Sequence, residues 1–268
     1  MNVLGSEFSA GSGLRVWGHM TVEEVREALS LTQTAILPTG STEQHGYHLP
    51  TLVDSITAYM VAVGASQQCG CFVVPPLHYS FSGGGLPGTI DISPGLTAAV
   101  LTEIGGSLYR QGIRNMILLH GHCGTENVEA HQLAVPMLYR IAPDARIAVA
   151  PIYRLSKTWK EAMEDRDYHA GFIETSLILY LAPDLVRGEE KWLVDSHQAL
   201  AIPDQDAWAE TVYQSCNELV FPHKKMKSNV KIGVWGDPSR SSRELGEKVF
   251  HECVESLTTL VADMESGR

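Results

Sequence analysis

Apolar positions along this chain recur in two patterns. Short unbroken runs, such as Ala35-Ile36-Leu37 and Met116-Ile117-Leu118-Leu119, suit strands covered on both faces. Between them lie longer stretches with apolar residues three and four apart, the period of a helix with one buried side. Thr21 followed by Glu24 forms a capping box that opens a helix over about 22–30. A strand over Thr34–Leu37, ended by Pro38 and Gly40, leads through a loop to a helix from about Ser55 to Gln67. Cys71–Val74 is a second strand, halted by Pro75-Pro76, and Leu96–Tyr109 a further helix. Met116–Leu119 runs into a helix over about Val128–Arg140, and Arg146–Ala150 is another strand. A helical stretch ends near Leu181, a short helix is expected near Ala207–Leu219, and a final amphipathic helix spans about Ser242–Met264. Strands alternating with helices, with no linker rich in Pro, Gly or Ser, predict one α/β domain with a mostly parallel central sheet flanked by helices. That domain is expected over 15–268, preceded by a flexible Gly/Ser-rich N-terminus at 1–14.

Composition narrows the class. Hydrophobic residues make up 44% of the 268 positions and charged residues 19%, enough for an enzyme-sized core and too apolar for a disordered chain. A net charge of −11 argues against nucleic acid as a partner, and Lys224-Lys225-Met226-Lys227 reads as a solvated turn. Five cysteines without a CxxC pair fit a reducing compartment. No signal peptide or membrane-spanning run is evident, so the expectation is a cytoplasmic protein with no membrane partner.

The chemistry concentrates where strands end. Glu43, His45, His48 and Asp54 fall within twelve residues between the first strand and its helix. Carboxylates with imidazoles suit zinc, manganese or iron(II) better than calcium. Taken singly, Asp54 is also a plausible N-cap and His45 an ordinary loop histidine. The strand at 116–119 repeats the arrangement, running into His120-Gly-His-Cys-Gly-Thr-Glu-Asn. Ligands in open α/β sheets collect beyond the carboxyl ends of strands, which would bring His122 to Glu43, His45 and Asp54. A third polar cluster, His169-Ala-Gly-Phe-Ile-Glu-Thr-Ser, opens another helix. Gly83–Gly85 reads equally as a flexible turn or a loop covering a substrate. Ser80 and His78 precede it as candidate substrate contacts, and Trp159 stands where an aromatic substrate wall is expected. Cys123 reads as a small residue beside His122 rather than a nucleophile, and His48 as a residue that fixes the loop. His19, His131, His197, His223 and His251 read as surface or satisfied polar residues.

These motifs carry a family resemblance. GSTEQHGYHLPTLVD resembles the signature of the creatininase family, HGHCGTEN its Asn-Gly-His segment, and HAGFIETS its His-Ala-Gly-x-x-Glu-Thr-Ser segment. LPGTIDIS and GVWGDPS are similar to two weaker blocks, so the resemblance spans roughly 35–240. It implies an α/β sandwich, usually a homo-oligomer and often a hexamer, acting on a small molecule. It implies a two-metal centre of Zn2+ and/or Mn2+, with Fe2+ an alternative, and a metal-bridging hydroxide that opens a cyclic amide or related C–N bond. By motif match Glu43, His45, Asp54 and His122 are the ligands, Asp54 the bridge, and Glu174 the fifth. His169 matches the family's proton carrier. Glu126, two residues later than the family's metal-binding Glu, joins it as a catalytic candidate. Tyr168 stands where creatininase has a Glu near the substrate, and His120 where the family usually has Asn. Other members imply one alternative, a hydrolase of a cyclic ketone or lactone on the same centre; a reading from a different class is a non-catalytic metal-binding scaffold.

Overall fold

The computed structural model describes residues 13–83, 86–188, 209–213, 216, 223–226 and 233–267. In chain order the elements are β1 (Arg15–Val16), α1 (Val22–Leu29), β2 (Thr34–Thr39), α2 (Val53–Cys69), β3 (Phe72–Val73), α3 (Pro94–Arg110) and β4 (Asn115–His120). Then follow α4 (Thr125–Tyr139), β5 (Arg146–Pro151), α5 (Lys157–Glu164), α6 (Phe172–Leu181), β6 (Ala209–Tyr213), β7 (His223–Met226) and α7 (Arg243–Ser266). Five strands form one all-parallel sheet in the order β1-β3-β2-β4-β5.

The central strands β2 and β4 are buried along their whole length. Alternate residues therefore feed two cores. Ile36, Ile117 and Leu119 face a cluster with α2, α5, α6 and α7, including Val61, Trp159, Ile173, Leu177 and Val254. Ala35, Leu37, Met116 and Leu118 face the other side, against Ala28 of α1, Leu101 and Leu108 of α3, and Ala134 and Leu138 of α4. This double burial is why both strands read as unbroken apolar runs.

Several boundaries correct the sequence reading. Strand β2 continues through Pro38 to Thr39 instead of stopping at Leu37. Proline is tolerated because its side of the strand faces β3, which has already ended at Val73, so no ladder donor is lost. Its carbonyl still accepts the Leu77 N–H at 3.0 Å. Helix α4 starts at Thr125, three residues before the expected Val128. In place of a helix near Ala207–Leu219, Ala209–Tyr213 forms β6, paired antiparallel with β7, which includes Lys224 and Lys225 rather than a turn. Ala-Glu-Thr-Val-Tyr is rich in β-branched and aromatic residues, which favour a strand. The expected N-terminal mobile stretch up to residue 12, Gly84, Gly85 and His197 lie outside the described residues. Among the described residues no helix is long and apolar enough to cross a membrane, and all five cysteines are free thiols.

Candidate metal centre

The geometry that matters is at the carboxyl ends of β2 and β4. Helix α2 settles directly on that edge. A Cβ on Gly40 would lie 2.4 Å from the Ser55 N, and one on Gly121 would lie 2.2 Å from the Asp54 carbonyl oxygen. Glycine at both strand ends thus lets the first turn of α2 descend between them. Asp54 is the second residue of that helix, where the helix dipole favours a carboxylate, and its side chain is buried.

Six side chains converge there. Asp54 Oδ1 lies 3.3 Å from His45 Nε2, while Asp54 Oδ2 lies 3.5 Å from His122 Nδ1. His122 Nδ1 is also 2.7 Å from Glu43 Oε2, and His45 Nε2 is 3.6 Å from Glu174 Oε2. His169 Nε2 is 3.8 Å from Glu43 Oε1, and its ring lies 4.2 Å from that of His45. Three sets bring their donor atoms together: Glu43, Asp54 and His122; His45, Asp54 and Glu174; and Glu43, His45 and His169. All six residues are buried.

The surroundings orient these groups. His45 Nδ1 donates to the Glu43 carbonyl at 3.1 Å, which leaves Nε2 turned toward the carboxylates. That nitrogen makes no hydrogen bond, and neither does the buried Nε2 of His122. A lone pair facing carboxylate oxygens is repulsive unless a proton or a cation lies between them. The carboxylate and imidazole donors, the shared Asp54 and the orphaned Nε2 of His45 therefore fit a divalent metal. The Ser41 hydroxyl donates to Asp54 Oδ2 and, at 3.3 Å, to Glu43 Oε2. Glu174 Oε2 accepts the Ala170 N–H at 2.5 Å. Ala170 adopts φ +51°, a left-handed conformation that is costly for a residue with a Cβ, and which turns its N–H onto that carboxylate.

Electrostatics follow the same map. Burial alone would raise Glu43 and Asp54, but the neighbouring imidazoles reverse it and hold both carboxyls below their usual range. Burial pulls the His45 imidazole down, yet Asp54 and Glu174 outweigh it and lift the pKa to about 10. Burial raises Glu174 to about 7, against the pull of His45. His169 is held at about 4, below the ordinary imidazole value of about 6.5, because burial outweighs the attraction of Glu43. Burial also pushes the Cys123 thiol up to about 12, which leaves it protonated and a poor nucleophile.

Above the cluster is a cavity of about 400 Å³, floored by Glu43, Asp54, His122 and Glu174 and walled by Tyr153, Trp159, Met163, Tyr168, His169 and Trp235. Of the residues nominated from the sequence as substrate contacts, Trp159 and Tyr168 line this cavity. Two sequence candidates do not. Glu126 is exposed in the first turn of α4, and the turn's phase sends Asn127 inward instead. Ser80 is buried away from the cavity, its backbone carbonyl held by the Ile92 N–H at 3.1 Å; Ser82 lines the cavity in its place. His48 Nε2 meets Thr175 Oγ1 at 2.9 Å and ties the loop to α6. His131 is buried and satisfied, while His19 and His251 are exposed.

The sequence reading missed Gln44, Trp235, Tyr153 and Met163. Gln44 receives the Gly233 N–H at Oε1 (3.0 Å) and donates to the Gly233 carbonyl (3.2 Å), clamping residues 233–235 beside the centre. Trp235 exchanges backbone hydrogen bonds with His169, at 2.7 and 3.0 Å. Gln44 lay inside the Glu-Gln-His motif, and its position between two candidate ligands was the available signal.

A family profile described as creatinine amidohydrolase matches residues 18–261. The chain belongs to the creatininase family. A mycofactocin precursor peptide peptidase of Mycolicibacterium smegmatis is 31% identical over 91% of this chain and 90% of its own. A creatinine amidohydrolase of Pseudomonas putida is 27% identical over 92% of this chain and 95% of its own. A crystal structure of creatinine amidohydrolase (creatininase) superposes with a TM-score of 0.69 at 25% identity, covering 92% of this chain and 96% of that one. The family is one of hydrolases, and its members here include proteins named for a peptide and for creatinine.

Proposed function

We propose that this creatininase-family chain is a hydrolase with two divalent ions, Zn2+ and/or Mn2+ with Fe2+ an alternative, that opens an amide or related C–N bond of a small molecule. One observation carries the reading: Asp54 turns Oδ1 to His45 and Oδ2 to His122, so two donor sets share a single carboxylate. Glu43, Asp54 and His122 would hold one ion; His45, Asp54 and Glu174 would hold the other. Glu174, and not Glu126, completes the second set. Ions held there supply a Lewis acid for a carbonyl oxygen and lower the pKa of water toward about 7.

The remaining steps belong to the protein. His169 is neutral at pH 7 and accepts a proton from the attacking water. The imidazolium so formed is steadied by the Gln44 carbonyl, 2.9 Å from Nε2, and by Glu43 Oε1. It then returns the proton to the leaving nitrogen. Trp159, Trp235, Tyr153 and Tyr168 offer flat apolar surface to the substrate, and among the described residues no Lys or Arg lines the cavity. That favours an uncharged ring or aromatic group over an anionic one. The peptidase relative favours a second reading, hydrolysis of a peptide amide next to such a group.

Elemental analysis and a substrate panel test this. The panel holds cyclic ureides, formylated amines, short peptides, lactones and cyclic ketones. We expect two ions per chain and release of ammonia or an amine. Fewer than one ion per chain sinks the metal reading. Turnover confined to lactones or ketones moves the chain to the carbon–carbon or ester class, and bound metal with no turnover of any panel member leaves only a scaffold.

A further inference from the structure

Beside the carboxylate cluster lies a second polar group that contributes no ligand to it. His120, the last residue of β4, is fully buried, as are Asn127 and His131 on α4 and Thr39 at the end of β2. His120 Nδ1 donates to the His122 carbonyl oxygen at 3.2 Å, and Asn127 Nδ2 donates to the same oxygen at 2.7 Å. His131 supports both. Its Nδ1–H reaches the Asn127 carbonyl at 2.7 Å, its Nε2 accepts from Thr39 Oγ1 at 2.7 Å, and its ring lies 4.6 Å from that of His120.

His122 needs outside support. It sits in a four-residue link, 121–124, with Gly121 before it and Gly124 one residue beyond Cys123. A Cβ on Gly121 would strike the Asp54 backbone, and one on Gly124 would lie 2.5 Å from His122 Nε2. Glycine is required for these close approaches, and it leaves the link's backbone soft. Two donors on one carbonyl remove that softness. His120 bears a cost for this role: its Nε2 is buried without a hydrogen bond. An apolar side chain would avoid that cost but would lose the Nδ1 donor.

We infer that His120 and Asn127 are positioning residues for His122, fixing its peptide plane through the shared carbonyl so that Nδ1 is aimed at Glu43 and Asp54. The inference rests on the proposed role of His122 as a metal ligand. Its test uses the full chain, stripped with a chelator and titrated with Zn2+ against a chromophoric competitor. His120→Leu and Asn127→Leu should each weaken one of the two Zn2+ affinities by about 10–100-fold, the usual effect of removing a group that orients a ligand. His120→Asn places an amide N–H where Nδ1 was, and should return that affinity to within about threefold of wild type. The melting temperature of the metal-free chain is followed alongside. Wild-type affinity in Asn127→Leu overturns the inference alone. So does a His120→Asn chain no better than His120→Leu, or an equal loss of both ions in step with the metal-free melting temperature. A wild-type chain that binds no Zn2+ overturns the metal reading and this inference with it. Asn127→Asp keeps the side-chain shape and removes the donor, whereas His120→Asn is smaller and keeps one, so this pair decides the matter if the leucine variants do not fold: loss of Zn2+ affinity in the first with retention in the second supports the inference, and the reverse overturns it.

Discussion

The units β2–α2 and β4–α4 look alike in sequence and behave differently in space. Each is a buried parallel strand, a polar link holding His and Glu, and a helix; the two strands are neighbours, with Thr39 in register with His120. The first link is thirteen residues, 40–52, and the second four, 121–124. Thirteen residues are enough to fold back over the sheet edge, so Glu43 and His45 both turn into the cluster. Four residues are enough only to start a helix. Side chains just after such a link are distributed by helix phase, which sends Asn127 in and Glu126 out. The lesson is that a carboxylate near a ligand in sequence is a ligand candidate only while the backbone between them is free to bend.

That comparison can be broken at several points. The largest effect is expected from Asp54→Ala, which removes the carboxylate shared by both donor sets. Activity should fall by more than about 100-fold, beyond the usual cost of losing a supporting group, and metal content should drop in the same preparation. A fully loaded Asp54→Ala chain would reject the ligand set. Glu174→Gln comes next, with a loss of about 10–100-fold and one ion missing by elemental analysis. Gly121→Ala probes the close approach of the two units. Its Cβ meets the Asp54 backbone, so overpacking should cost about 1–3 kcal/mol in chemical denaturation. A stable Gly121→Ala chain would mean the units can separate without penalty.

A smaller effect should appear with pH in the metal-free chain. The folded His45 pKa is about 10 against an ordinary 6.5, so the pairing with Asp54, which stays ionised, stabilises fully below about pH 6.5, and Glu174 adds to it only above its own pKa of about 7. It is lost as the pH rises through about 10. The melting-temperature gap between wild type and His45→Gln should therefore narrow from pH 7 to pH 10, while Zn2+ binding tightens as protons leave the ligands. A gap that widens over that range would contradict the charge arrangement. The smallest effect is Glu126→Gln, expected to change stability by no more than about 0.5 kcal/mol and turnover within about twofold. A large loss of activity there would bring the short link's carboxylate back into the site.

Much of this was legible in the chain. The double-sided burial of β2 and β4 showed as apolar runs, and α1, α2, α3, α4 and α7 fell within a few residues of their expected spans because caps and glycine stops are local signals, whereas α5 was not expected. The strand through Pro38 was hidden, since only the early end of β3 makes the missing N–H harmless. The strand over Ala209–Tyr213 was hidden too, because what decides it is its pairing with β7, from Tyr213 with His223 out to Ala209 with Met226, and not its own local pattern.

At the site, residue type and place at a strand end nominated Glu43, His45, Asp54 and His122, and the creatininase-like motif His-Ala-Gly-Phe-Ile-Glu-Thr-Ser added His169 and Glu174. Which oxygen faces which nitrogen, the clamp made by Gln44, and the aromatic wall from Tyr153, Trp159, Tyr168 and Trp235 depended on bringing separate segments of the chain together, up to 189 residues apart for Gln44 and Gly233. Local composition records what chemistry a segment can offer. Only the packed sheet and the seating of α2 against Gly40 and Gly121 set the angstrom-scale distances at which that chemistry combines, since those distances arise from long-range contacts that no short stretch encodes.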